Sequence, residues 1–259
     1  MICGLILVGL CCVHSAAGQF PDWPNATATI NVTSTFKINS TNSPFDGNNT
    51  RYIADFPNDS GNQNETQPRI FELADGAIFR NVIIGAPAAD GIRCRGSCFV
   101  ENVWWEDVGE DAATFYGGVN ATYTVTGGGA KNAEDKVFQH DGGGVLTIKN
   151  FQVEIFGKLY RTCGNCPNNS PNLPRKCIID TVRATGPGRW IAAVNYNYGD
   201  SVTLKNITLV GNVKKICAYY EGNNKGSGND NPPIKGNFGP TEDGDGTYCV
   251  YNKTDITIS

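Results

Sequence analysis

Residues 99–105, Phe99-Val100-Glu101-Asn102-Val103-Trp104-Trp105, place apolar side chains two positions before an asparagine and one and three positions after it. The same frame recurs around Asn81, Asn150 and Asn206. Two residues before these stand Phe79, Ile148 and Leu204; one residue after stand Val82, Phe151 and Ile207. Three residues after stand Ile84, Val153 and Leu209. Apolar residues alternating with a period of two read as strand. The alternation changes phase at each asparagine, so each asparagine marks a sharp bend between two short strands.

Asn81 and Asn102 are 21 residues apart, whereas the next two intervals are 48 and 56 residues. The longer intervals leave room for further turns through residues 123–126 and 177–182. Steps in the twenties fit a coil of stacked strands. Stacking buries the apolar positions and lines up the asparagine side chains as an amide ladder. The expected fold is all-β, a right-handed parallel β-helix rather than a β-sandwich.

Composition agrees. Of 259 residues, 31 are glycine, one is methionine and only 18% are charged, so strands and turns should dominate over long helices. The net charge of −4 gives no sign of nucleic-acid binding. An apolar run from Ile2 to Val13, followed by Ser15-Ala16-Ala17-Gly18, reads as a secretory signal over residues 1–18. The run is too short to span a bilayer comfortably, so no membrane partner is expected. Residues 19–259 then form one domain, expected to be extracellular and monomeric. Ten Asn-x-Ser/Thr sequons, beginning at Asn25, Asn31, Asn39, Asn48, Asn58, Asn64, Asn120, Asn168, Asn206 and Asn252, point the same way.

Outside the signal stand seven cysteines: Cys94, Cys98, Cys163, Cys166, Cys177, Cys217 and Cys249. An odd number leaves one thiol free or paired between chains. Cys163 and Cys166, with Cys177, match a zinc half-site, but disulfides are favoured in an oxidising compartment. Cys94 and Cys98 are close enough to bridge neighbouring turns. Residues 19–66 read as a polar, glycosylated segment with one or two edge strands. Residues 222–246 read as a long loop tied by Cys217 and Cys249, with Glu242, Asp243 and Asp245 as solvated acids. His140 reads as a packed or exposed loop residue, not a catalyst.

Asp90 follows Asn81 by nine residues, and Glu110 and Asp111 follow Asn102 by eight and nine. In stacked coils, residues at the same phase lie one strand spacing apart. Three carboxylates therefore meet on one edge, a hard-oxygen site suited to calcium. Lys136 falls about one coil further on, and Lys158 and Arg161 follow Asn150 by eight and eleven residues. Together they make a cluster of both signs, able to hold a metal and an anionic substrate.

Four blocks of this cluster resemble a known family. They are Ala86-Pro87-Ala88-Ala89-Asp90-Gly91, the run from Asn102 to Thr114, Asp135-Lys136-Val137-Phe138-Gln139, and Phe156-Gly157-Lys158-Leu159-Tyr160-Arg161. They are similar to the pectate lyases of the third polysaccharide lyase family. The resemblance implies a secreted right-handed parallel β-helix that cleaves α-1,4-linked polygalacturonate by calcium-dependent β-elimination. It implies Asp90, Glu110 and Asp111 as calcium ligands and Lys136 as the base for the C5 proton. It implies Lys158 and Arg161 as cations that hold uronate carboxylates, and Glu65 as an acidic residue upstream of the first coil. A base must be neutral, so neighbouring cations and the metal are expected to depress the Lys136 pKa. Some relatives carry a lysine near Pro68, where the nearest cation here is Arg69, and another where this chain has Tyr116. Two other readings are a polygalacturonase, whose usual Gly-His-Gly and Arg-Ile-Lys blocks are absent here, and a non-catalytic pectin-binding protein on the same scaffold.

Overall fold

A computed structural model describes residues 20–57, 63–64, 66–226 and 232–259. It opens with β1 (Thr29–Val32), β2 (Phe36–Ile38) and β3 (Phe45–Ala54). Four short strands follow, β4 (Phe71–Leu73), β5 (Ala77–Ile84), β6 (Ile92–Cys94) and β7 (Cys98–Trp105). After β8 (Asp111–Phe115) come three long strands, β9 (Thr122–His140), β10 (Gly144–Thr162) and β11 (Arg175–Asn195). The last are β12 (Ser201–Val210), β13 (Val213–Tyr220), β14 (Ile234–Phe238), β15 (Cys249–Val250) and β16 (Ile256–Ile258).

Pairing is parallel throughout except between β13 and β14. One wall runs β1-β3-β5-β7-β9-β10-β11-β12-β15, and a second runs β2-β4-β6-β8-β9 before continuing through β10, β11 and β13. This is the expected parallel β-helix. Each of β9, β10 and β11 serves both walls, because the chain turns the corner without leaving strand geometry.

The bends at the corner lie where the phase changes. Asn81, Asn102, Asn150 and Asn206 have φ of 54°, 51°, 53° and 53°. That left-handed conformation suits asparagine, whose short amide can bond locally. Val100, Val103 and Trp105 flank Asn102 in the interior core, as Ile148, Phe151 and Val153 flank Asn150. The two long intervals each contain one further coil. Strand register places Gly127 between Asn102 and Asn150, and Thr181 between Asn150 and Asn206, with φ of 68° and 57°.

Those substitutions interrupt the amide ladder. Asn102 Nδ2 donates to Asn81 Oδ1 at 2.8 Å, which is the predicted rung. The outer asparagines instead donate to acids: Asn81 to Asp46 Oδ1 at 2.9 Å and Asn206 to Asp180 Oδ1 at 2.8 Å. Gly127 has no side chain to pass the ladder on.

Two segments depart from expectation. Residues 19–66 supply three described strands, with β3 stacked on β5, β2 on β4 and β1 on β3, so they are the first coils of the solenoid. Their alternation is hard to read because β3 absorbs extra residues between Asp46 and Thr50, with Asn48 and Asn49 at φ of 49° and 55°. Within 222–246, β14 pairs antiparallel with β13. Cys217–Cys249 ties this end together, and Cys94–Cys98 and Cys163–Cys166 are also bridged. The zinc half-site is therefore ruled out: two of its three sulfurs are bonded to each other, and Cys177 is a buried free thiol. The acids of 222–246 have structural partners. Asp245 Oδ1 accepts from the Thr247, Tyr248 and Cys249 backbone N–H groups, and Asp243 Oδ1 accepts from Lys253 N.

Candidate active site

The carboxylates meet because two turns approach backbone to backbone. Glu110 N donates to Ala89 O at 3.0 Å, and Asp90 N donates to Pro68 O at 3.1 Å. A Cβ at position 109 would lie 2.0 Å from Ala89 O, and one at position 91 would lie 2.2 Å from Ala112 O. Gly109 and Gly91 are thus what allow adjacent coils to bring Asp90 against Glu110 and Asp111. The register Ile92 to Ala113, followed back two residues, aligns Asp90 with Asp111 as expected.

Asp90, Glu110 and Asp111 are all buried, and each offers a carboxylate oxygen within 4.8 Å of the others. Burial pushes the Asp90 carboxyl up to about 7, with Glu110 adding to the rise and Arg93 opposing it. Burial likewise raises Asp111 well above the carboxylate range, against the pull of Lys136. Both Asp111 oxygens and Asp90 Oδ1 are enclosed without a hydrogen-bond donor among the described residues. Lys136 Nζ lies 3.5 Å from Asp111 Oδ1, an ion pair without a hydrogen bond. Buried anionic oxygens that lack donors are the chemistry of a hard-cation site, so the three residues fit calcium.

The cations line up on the next coils. Asp111 pairs in register with Lys136, and Lys136 with Lys158. Three residues on, Arg161 would face inward in a regular strand. Leu159 and Tyr160 both point into the core, however, so Lys158 and Arg161 share the outer face. Val137 and Phe138 do the same one coil earlier, which aligns Gln139 with Arg161.

Lys136 is held by anions on two sides. Its Nζ lies 3.0 Å from Glu110 Oε1 and 2.9 Å from Asp135 Oδ2. Burial works against its charge, but Asp111, Glu110 and Asp135 outweigh that and raise its pKa above the ordinary lysine value. The expected depression of Lys136 is therefore not what these surroundings produce, because its nearest neighbours are carboxylates. Lys158 is the lysine that is lowered, first by burial and then by Lys136 and Arg161. Asp135 bonds both lysines, and they hold its carboxyl at about 2 despite its burial.

Arg161 is buried, with its guanidinium 4.1 Å from the centre of the Tyr220 ring. Burial lowers its pKa to about 10, which leaves it charged at neutral pH. Its Nη1 has no hydrogen-bond partner among the described residues. Glu65 lies outside the described residues.

At the two departures, Pro68 supports Asp90 through its carbonyl, while Tyr116 is 40% exposed and lies under Arg93, 5.5 Å from ring centre to guanidinium. Arg93 also donates to Asp90 Oδ2 at 2.9 Å. Reading by phase missed Arg93 and Asp135. Their signal was local: each sits within three residues of a cluster member, Arg93 of Asp90 and Asp135 of Lys136. His140 is packed, as expected, with Nδ1 3.0 Å from Tyr160 Oη and Nε2 3.3 Å from Gly143 O.

A stack of parallel coils with buried carboxylates and lysines on one outer wall defines the class: a β-helix protein whose chemistry sits on the outside of the coil. The chain belongs to the pectate lyase family: a sequence model described as pectate lyase matches residues 21–227. It is 38% identical over 230 residues to pectate lyase E of Emericella nidulans, covering 89% of this chain and 84% of that protein. Pectate lyase H of the same organism is 37% identical, covering 89% and 83%. Among solved structures it is similar to the catalytic domain of pectate lyase PelI from Erwinia chrysanthemi. The TM-score is 0.69 at 30% identity, covering 90% of this chain and 98% of that one. A PelI structure in complex with tetragalacturonic acid matches with a TM-score of 0.67 at 30% identity, covering 91% and 68%.

Proposed function

We propose that this chain is a secreted pectate lyase that cleaves polygalacturonate by calcium-dependent β-elimination, acting as a monomer. The observation that carries the reading is the juxtaposition of Asp90, Glu110 and Asp111 with Lys136 and Lys158 on adjacent coils of one wall. The three disulfides and the exposure of the nine described sequon asparagines support secretion. Among the described residues no helix is long and apolar enough to cross a membrane.

Asp90, Glu110 and Asp111 would hold calcium, which when bound supplies positive charge to the uronate carboxylate and so acidifies the C5 proton. Lys136 takes that proton; the electron pair left on C5 forms the C4–C5 double bond as the C4–O bond to the next sugar breaks. Its neutral form is required. Carboxylates committed to a cation stabilise its ammonium less, and Lys158 beside it disfavours that charge further. Arg161, charged and without a partner at Nη1, holds a substrate carboxylate through a charge-assisted hydrogen bond. Glu65, upstream of the first coil, is assigned to substrate binding on the resemblance alone.

The test is absorbance of the unsaturated uronide on incubation with polygalacturonate, with calcium and then with a chelator. Calcium-dependent growth supports elimination. New reducing ends without absorbance replace it with hydrolysis, and an intact, bound polymer replaces it with a binding protein.

A further inference from the structure

The row that begins at Asp111 does not end at Lys158. Lys158 pairs in register with Trp190 on β11, and Trp190 with Lys215 on β13. Neighbouring strands lie about 4.8 Å apart, so Lys136, Lys158, Trp190 and Lys215 form a straight track along the coil axis. Ala193, Ala218 and Tyr220 make a small apolar cluster, separate from the interior core, against which Trp190 packs. This cluster is therefore an outer floor, bounded on one side by Arg161 over the Tyr220 ring.

Cations surround that floor. Lys158 Nζ lies 5.8 Å and the Arg189 guanidinium 5.4 Å from the Trp190 ring centre. Lys215 is half-buried and Arg189 is exposed. Trp190 is half-buried, so part of its ring faces solvent among these cations. An aromatic plane flanked by the cations Lys158 (itself paired to Asp135), Arg189 and Lys215 matches one ligand chemistry: a sugar with an apolar C–H face and an equatorial carboxylate.

We propose that Trp190 and Lys215 form an additional sugar subsite, one that binds a galacturonate unit beyond those held at Lys158 and Arg161. The inference rests on the lyase reading above and extends its cleft toward the C-terminal coils. The ring of Trp190 stacks on the sugar, and Lys215 pairs with its carboxylate. The polymer then lies along the coil axis, crossing one strand after another.

The test compares the wild-type protein with Trp190→Ala, Trp190→Phe and Lys215→Ala on trigalacturonate and hexagalacturonate, in calcium. For Trp190→Ala, KM on hexagalacturonate rises about tenfold, with a smaller rise on trigalacturonate, because loss of one aromatic contact is read only by chains that reach it. Trp190→Phe retains most of the affinity. Lys215→Ala gives a weaker loss that fades at high salt. Equal KM rises on both lengths together with a lowered melting temperature would make Trp190 a packing residue and overturn the proposal, as would wild-type KM in Trp190→Ala. If the wild-type protein forms no unsaturated product, the lyase reading fails on its own. Equilibrium binding of hexagalacturonate then decides the subsite: about tenfold weaker binding by Trp190→Ala sustains it, and equal binding removes it.

Discussion

Lys136 Nζ lies 3.0 Å from Glu110 Oε1, and both side chains are buried. The candidate base is thus ion-paired to a candidate metal ligand, so the two functions of the site share one contact. Lys136→Ala should lower lyase activity by about a thousandfold, the scale of a lost general base. Calcium binding, followed by calorimetry, should survive or tighten, since a competing cation has been removed. Appreciable activity in the variant would take Lys136 out of the mechanism.

Asp111 carries the most enclosed carboxylate of the cluster, with neither oxygen hydrogen-bonded. A ligand that binds only the folded state stabilises it, by about 2.7 kcal/mol at a hundred times its dissociation constant. Calcium should therefore raise the melting temperature of the wild-type protein, and chelator should reverse the rise. In Asp111→Asn the calcium-dependent shift should vanish. A shift of wild-type size in that variant places the ion elsewhere.

Gly109 is chosen by space rather than by its dihedral angle. With a Cβ there 2.0 Å from Ala89 O, Gly109→Ala must push the two turns apart. The expected cost is about 1–3 kcal/mol of stability, as for other overpacked sites, and a larger fractional loss of calcium affinity. Unchanged affinity would show that the turns tolerate separation.

Thr181 occupies a bend that asparagine fills on both neighbouring coils, at φ of 57°. A β-branched residue is strained there, whereas asparagine is not. Thr181→Asn should stabilise the protein by about 1 kcal/mol, which is a rise of about 2–4 °C in Tm for a domain of this size. A fall in Tm would mean that the Thr181 hydroxyl bond to Asp180 Oδ1 at 3.1 Å matters more than backbone strain.

His140 is fully buried, and burial together with Arg175 lowers its pKa to about 3. An unfolded histidine titrates near 6.5, so between about pH 3 and 6.5 the unfolded state binds the extra proton. Stability is therefore lost as pH falls through that window, by about 1.4 kcal/mol per pH unit. Asp90, raised to about 7, acts in the opposite direction above the unfolded carboxylate pKa. The comparison with His140→Gln isolates the histidine: denaturation measured across pH should show a slope smaller by about one proton. Parallel slopes would count against a neutral buried imidazole.

The sequence by itself determined the coil. Phase changes at Asn81, Asn102, Asn150 and Asn206 report a local property, the backbone bend, and burial on either side of it follows from the two-residue period. Equal offsets from those bends also aligned Asp90 with Asp111, because stacked coils carry phase from one turn to the next. The coils that bend at Gly127 and Thr181 were legible only from the length of the intervals that hold them, since neither bend residue is an asparagine. Only tertiary structure decided what each charged group meets. Lys136 and Asp135 are adjacent in sequence, yet whether the lysine is raised or lowered depends on Glu110 and Asp111, more than twenty residues away and one strand spacing across. Coulomb interactions between buried groups depend on distances of a few ångströms and on the water excluded around them, and neither is set by position along a chain.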